Sequence, residues 1–183
     1  MMKDNWHGIM KILDITHHDA KGNLIWEDHN IHNILHQDGE EFLLRAAFQG
    51  GGSAWPSNDI IPEYYYLGMD NRQVVSSEDT LDDLIGEPAG SGYERQAVSS
   101  HDDFAVNYEN SHFVATSPIV AFRATTGSWG PVSNVFISDK NDNTGYLIAT
   151  AVLTTAIEMN SGDSVTVRIG MQLRDCDITD GTS

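Results

Sequence analysis

Histidines are concentrated at the start of the chain, and they are the first residues whose types and spacing could do chemistry. Six of the eight lie within the first 36 residues: His7, His17, His18, His29, His32 and His36. Three or four converging imidazoles can bind zinc or nickel. His29, His32 and His36 share a face only in a helix, whereas the preceding residues favour an extended chain, and no HExxH or CxxC motif accompanies them. We therefore predict exposed strand and loop histidines and no metal site.

Two loops resemble ligand-binding motifs but lack residues that those motifs need. Residues 139–145 begin like a calcium loop, yet Thr144 stands where an EF-hand has glycine and Thr150 where it has glutamate. Residues 86–92 are rich in glycine, but no lysine follows, and Glu87 would repel a phosphate. We predict a hairpin turn for the first loop, with a surface calcium site as the alternative, and no nucleotide site for the second.

Catalytic arrangements are equally sparse. The chain has no GxSxG motif, and its single cysteine, Cys176, has no basic neighbours that would activate the thiol. The paired acids Asp82–Asp83 and Asp102–Asp103 are adjacent in sequence, so their side chains diverge or lie in loops. We expect no catalytic residue, no cofactor and no enzymatic activity.

Aromatic residues are the stronger candidates for a binding role, because protein interfaces and sugar-binding platforms are enriched in them. Trp6 and Trp55 lie in irregular segments flanked by glycine or proline. We predict partner contacts at Trp6, Ile9, Trp55 and Tyr64. The first two of these belong to residues 1–10, which we expect to form a flexible arm that reaches a neighbouring molecule.

The segments that must position these residues are mostly predicted strands. Residues 164–174 alternate apolar and polar side chains, which predicts a long half-buried strand. Residues 145–153 are apolar on both faces, and the turn residues 160–163 suggest that the two strands form a hairpin. Residues 38–49 predict one short helix, and residues 80–84 a shorter one. Further strands are predicted at residues 10–16, 24–26, 64–69, 93–98, 112–115, 119–124 and 132–137.

This succession predicts an all-β fold of eight or nine strands. Many short strands, one or two short helices and no βαβ alternation favour an antiparallel β-sandwich or jelly roll. A chain of 183 residues fits one domain. We expect that domain to span residues 11–176, between the arm and a C-terminal tail at residues 177–183.

The chain is strongly acidic, and this excludes some partners. Its 27 acidic and 10 basic residues give a formal net charge of -17, which nucleic acid and anionic membranes would repel. One cysteine cannot form an intrachain disulfide, which fits a reducing compartment. We find no export signal and no apolar run that could span a bilayer.

Three stretches of the chain resemble small structural proteins of tailed bacteriophages. They are residues 79–98 (DTLDDLIGEPAGSGYERQAV), residues 124–137 (ATTGSWGPVSNVFI), and residues 142–149 (DNTGYLIA) followed by the strand that begins SGDSV. They occur in the same order and cover most of residues 64–174. The resemblance implies a β-rich virion protein without catalytic residues, made in the host cytoplasm.

The charge then favours one place in the virion. Packaged DNA would repel a protein of charge -17, so the outer capsid surface suits it better than the lumen. Our leading hypothesis is a capsid decoration, or cement, protein that forms a homo-oligomer, a trimer, and clamps neighbouring subunits of the major capsid protein. The alternatives are a tail or baseplate component, and a carbohydrate-binding module that recognises the host through Trp55 and Tyr64–Tyr66.

Overall fold

The computed structural model of the protein describes residues 7–48, 61–72, 74–109 and 112–174. Within these ranges the chain forms ten β-strands, one α-helix and one 3₁₀ turn at Leu81–Asp83. The helix α1 spans Gln37–Phe48 and follows the second strand. The strands are β1 (His7–His18), β2 (Leu24–Leu35), β3 (Tyr64–Asp70), β4 (Gln96–Ser99), β5 (Ala105–Glu109), β6 (His112–Thr116), β7 (Val120–Arg123), β8 (Trp129–Ser138), β9 (Leu147–Met159) and β10 (Ser164–Arg174).

The strands form two antiparallel sheets that are joined through β2. The first sheet has the order β2-β1-β10-β6-β5, with β7 also paired to β10. The second has the order β4-β3-β8-β9-β2. Residues 24–32 of β2 pair with β1, whereas residues 33–35 pair with β9. The predicted all-β antiparallel sandwich is confirmed.

The core lies between the sheets, and the alternation of β10 explains which side chains fill it. Val165, Val167 and Ile169 are at most 1% exposed. Ile15 pairs with Val167 and Ile12 with Ile169, and both isoleucines are fully buried. Burying an aliphatic side chain of this size stabilises the fold by about 1.5–3 kcal/mol. Side chains at two-residue spacing thus define one inner face across the first sheet.

The predicted helix is confirmed at Gln37–Phe48, where it packs against β9. Phe42 is 2% exposed, and its ring centroid lies 6.0 Å from that of Tyr65 and 5.8 Å from that of Tyr146. Gly39 allows the close approach of the helix, because a Cβ atom there would lie 2.2 Å from the carbonyl oxygen of Ile148. The helix therefore closes one side of the aromatic part of the core.

The hairpin predicted for the last two strands is wrong. β9 pairs with β8 and β2 in the second sheet, while β10 pairs with β1, β6 and β7 in the first. Next to the turn, both edges of β10 are occupied, by β1 on one side and β7 on the other, so β10 cannot pair with β9. The turn carries the chain from one sheet to the other. Its buried Asp163 accepts a hydrogen bond from the Asn160 backbone through its carboxylate and one from the Ala124 backbone through its carbonyl.

The N-terminal boundary also differs from the predicted one. β1 begins at His7, and its first residues pair with β10, from His7 with Arg174 to Met10 with Met171. The last four residues of the predicted arm therefore belong to the sheet, because they continue its ladder. Residues 1–6 and the predicted tail lie outside the described residues. In the part of the chain that is described, no helix is long and apolar enough to cross a membrane.

Candidate functional site

The β5–β6 hairpin presents three large apolar side chains to solvent. Val106, Tyr108 and Phe113 are 65%, 66% and 67% exposed. Tyr108 and Phe113 are opposite each other in the register, and their ring centroids are 5.1 Å apart. Single exposed apolar residues are normal, whereas a contiguous group is typical of an interaction site. We call Val106, Tyr108 and Phe113 the hairpin surface.

The hairpin surface lies on the core side of the first sheet. Ala115 pairs with Met171 on β10 and with Val106 on β5, and residues directly opposite each other share a face. Met171 continues the row of buried residues on β10 at two-residue spacing. The apolar inner face therefore extends past the core onto β6 and β5, where the described part of the chain leaves it open to solvent.

The hairpin surface is uncharged. Asn107 and Glu109 alternate with Val106 and Tyr108 along β5, so their side chains point to the opposite face of the sheet. Contact through the hairpin surface would therefore bury apolar atoms without bringing the acid of β5 into the interface. This matters in a chain of net charge -17, because most of its surface repels an acidic partner.

Of the four predicted contact residues, the structure describes the side chain of Tyr64 alone. Trp6 and Trp55 lie outside the described residues. Ile9 is in β1, and its side chain is not among those described. Tyr64 is 39% exposed and lies on β3, in the other sheet.

The tyrosines of β3 do not form one stacking platform. Tyr64 and Tyr66 point to one face of the strand and Tyr65 to the other. The Tyr65 ring packs edge-on against Phe42, and its centroid lies 5.9 Å from that of Phe104 in a second edge-on contact. The middle ring therefore belongs to the core, which leaves only part of the predicted platform on the surface.

Two histidines expected to be exposed are buried. His36 is fully buried with its Nε2 atom 2.8 Å from Thr150 Oγ1, and burial lowers its pKa because desolvation disfavours the imidazolium. His17 is 5% exposed, and its Nε2 atom lies 3.4 Å from Asp163 Oδ2. The prediction of exposure is wrong for both. The alternation of β1 turns His17 inward, whereas His36 follows β2 and is buried by packing beside Thr150 of β9. Among the described residues, no group of three or more metal-binding side chains occurs.

Arg95 fills the loop that resembles a calcium-binding loop. Its Nη1 atom donates to the carbonyl oxygens of Lys140 (3.3 Å) and Asp142 (3.0 Å), and its Nη2 atom donates to Asn143 Oδ1 (2.7 Å). Carbonyl and amide oxygens of this kind are also calcium ligands. The guanidinium thus occupies the position in which a bound cation could otherwise accept coordination from these oxygens. The predicted hairpin turn between β8 and β9 is confirmed.

Glu87, from the glycine-rich loop, neutralises Arg95. It accepts hydrogen bonds from Arg95 Nε (2.8 Å) and Nη2 (2.7 Å), and a third from the hydroxyl of Tyr93 (2.9 Å). Burial acts to lower the pKa of Arg95, but the hydrogen bonds and charge of Glu87 outweigh it and raise the pKa. We call Arg95, Glu87, Tyr93 and Asn143 the arginine cluster. It joins the loop before β4 to the turn between β8 and β9.

Residues 74–173 match a protein family described as the podophage GP4 fiber I protein gp80. The match spans more than half of the 183-residue chain. The chain belongs to this family. It is a structural protein of a tailed phage, as the sequence resemblance implied. No curated protein and no solved structure matches the chain.

The gp80 family match contains both of the features described above. It spans β4 to β9 and all but the last residue of β10, so it includes the hairpin surface and the arginine cluster. The histidine-rich strands β1 and β2, the helix and β3 lie outside it. The family match therefore covers the part of the chain that carries the hairpin surface.

Sequence reasoning missed the hairpin surface because it did not predict β5. The signal was present as an alternation of apolar Val106 and Tyr108 with polar neighbours, followed by Asn110 and Ser111 as turn residues. The arginine cluster had no comparable signal, since Arg95 and Asn143 are far apart in sequence and meet only in the folded chain.

Proposed function

We propose that the protein is a structural subunit of a phage fibre, or of the tail to which a fibre attaches, and that it contacts a neighbouring virion protein through the hairpin surface. The observation that carries this proposal is the uncovered inner face of the β5–β6 hairpin, with Val106, Tyr108 and Phe113 each about two-thirds exposed. An apolar face that continues a core is stabilised when a partner covers it. Membership of the gp80 family supports the fibre as the place of that contact.

The proposed role is mechanical rather than catalytic. Two buried charged groups are used within the fold: Arg95 by Glu87 and the neighbouring turn, and Asp70 by the backbone N–H groups of Arg72 and Gly86. Groups held in this way lock loops together, because breaking any of these bonds leaves a buried polar atom unsatisfied. Such a scaffold suits a subunit that transmits load between its neighbours.

Capsid decoration is the second candidate. The net charge of -17 supports a position away from packaged DNA, on the outside of the shell, with the major capsid protein as partner and a trimer as the assembly. A fibre is also outside the shell, so charge does not separate the two candidates. The family description favours the fibre.

Quantitative mass spectrometry of purified virions, combined with antibody labelling, tests the proposal. A fibre or tail subunit is expected in few copies per particle, with the label at one vertex. Hundreds of copies and label spread over the head would overturn the fibre proposal in favour of decoration. Absence from purified virions would overturn both candidates.

A further inference from the structure

β5 is the terminal strand of the first sheet, and its outer backbone edge is free among the described residues. It pairs with β6 alone, through five consecutive register pairs that run from Ala105 with Thr116 to Glu109 with His112. All five of its residues are exposed. Edge strands in natural proteins are usually protected by proline, lysine, a bulge or a covering segment. In the part of the chain described, β5 has no proline, lysine, bulge or covering segment, and its one charged residue, Glu109, is at its end.

The other terminal strand, β4, is protected by its own chain. It has four residues, and the Ser99 backbone N–H donates to Asp103 Oδ2 at 2.7 Å. Within the described ranges, no side chain makes a comparable bond to the backbone of β5. The free edge is therefore specific to the hairpin and not common to both ends of the sheet order.

We propose that β5 pairs with β5 of a second copy of this chain, antiparallel about a two-fold axis at Asn107. In this register Asn107 faces its own counterpart, Val106 faces Tyr108, and Ala105 faces Glu109. It is the register in which all five residues of each strand find a partner in the other. The contact is isologous, so the pairing closes at two copies. It differs from the trimer expected from the sequence.

The charge of β5 is compatible with a second copy as the occupant of this edge. Two chains of net charge -17 repel each other, so they can approach only where their acids do not face one another. Glu109 is the single charged residue of β5, and the two-fold register places it opposite Ala105. Like charges directly opposite each other destabilise a strand pair, and the proposed register contains no such pair.

The apolar residues are also complementary in this register. On the inner face, Tyr108 of one copy stands opposite Val106 of the other, and aromatic residues opposite β-branched residues stabilise antiparallel strands. A row of neighbouring side chains then crosses the two-fold axis. It consists of Phe113 and Tyr108 of one copy, followed by Val106 and Ala115 of the other. Because pairing uses the backbone edge, the two hairpin surfaces join into one larger apolar face that is still free to contact a virion neighbour.

The pairing is expected to be weak in dilute solution. Stable interfaces bury about 1,200–2,000 Å² in total, and two five-residue strands offer only a fraction of this. A covalent trap is therefore the suitable test. Antiparallel partners directly opposite each other have Cα atoms about 4.5–5.5 Å apart, which is within the range that a disulfide bridges.

Asn107→Cys, made in a Cys176→Ser background, should form a disulfide-linked dimer on mild oxidation. The matched control is Ala105→Cys in the same background, on the same exposed face of β5. The two copies of residue 105 would lie about 14 Å apart, at about 3.4 Å per residue, and cannot be bridged. We expect the Asn107→Cys dimer to form roughly tenfold faster than the control, because pairing raises the effective concentration of the thiols. Equal rates would overturn the inference.

A charge-swap experiment tests the same register without a covalent bond. Asn107→Lys and Asn107→Asp should each sediment as monomers at high concentration, since each places like charges on the two-fold axis, and their mixture should sediment as a heterodimer. A mixture that stays monomeric, or a wild-type mass of three copies, would contradict the two-fold pairing. If the protein does not pair through β5 but is labelled normally in virions, only this inference is overturned. If it pairs through β5 but is absent from virions, only the proposed function is overturned.

Discussion

Replacing Arg95 by methionine should lower the free energy of unfolding by about 3 kcal/mol. The change leaves Glu87 without its cation and removes the donor to the Asp142 carbonyl and to Asn143 Oδ1, whereas the Lys140 carbonyl keeps the Ser138 hydroxyl. Removing one partner of a buried ion pair costs about 3–5 kcal/mol, and the lower end applies because the Glu87 side chain is 20% exposed and can regain water. For a domain of this size, each kcal/mol changes Tm by about 2–4 °C, so the melting temperature should fall by roughly 6–12 °C.

Urea and thermal denaturation followed by circular dichroism measure this effect. The matched control is Arg168→Met, since Arg168 pairs with Asp14 where the two side chains are 42% and 39% exposed. Exposed pairs contribute about 0–1 kcal/mol, so the control should lose little stability. Adding Glu87→Met to Arg95→Met should cost less than the sum of the two single changes, because the residues are in direct contact. An Arg95→Met protein no less stable than the control would refute the structural role of the arginine cluster.

Three further outcomes are expected. Lowering the pH below 6.5 should destabilise the protein, because His36 is protonated more readily in the unfolded chain than in the folded protein, where burial lowers its pKa. His36→Gln should make the free energy of unfolding less dependent on pH in this range. An unchanged dependence on pH would contradict the role of His36. Gly39→Ala should destabilise the fold although alanine has the better helix propensity, because the alanine Cβ atom would lie 2.2 Å from the Ile148 carbonyl oxygen. A melting temperature at or above that of the wild type would contradict this packing. Tyr108→Ser with Phe113→Ser should change stability by no more than about 0.5 kcal/mol for each exposed site, and a larger loss in urea denaturation would show that these rings are covered.

The elements with strong local patterns could be predicted from the sequence. The alternation of residues 164–174 predicts a strand with the bounds that β10 has in the structure. Asp19 and Gly22 lie in the turn between β1 and β2, where Gly22 has a φ of 84° and the Asp19 carboxylate accepts two backbone hydrogen bonds. These features depend on residues close together in sequence, so their chemistry is visible without the fold.

What could not be predicted depends on which strands become neighbours. The turn at Asn160–Asp163 suits a hairpin as well as a crossing between sheets, and the choice depends on β1 and β7 occupying both edges of β10 next to the turn. The same holds for His36, whose burial follows from packing near Thr150 in a strand far along the chain. The exposure of the hairpin surface depends on how far the described strands of the second sheet extend, which is a property of both sheets and not of the local pattern.

The most direct test of the proposed function is the amount of this protein in virions assembled with an altered hairpin surface. Particles produced with Tyr108→Ser and Phe113→Ser should contain much less of it than wild-type particles. Particles produced with Ile85→Ser, a change at an isolated apolar side chain that is 90% exposed, should contain the normal amount. Equal retention of all three proteins would contradict attachment through the β5–β6 hairpin.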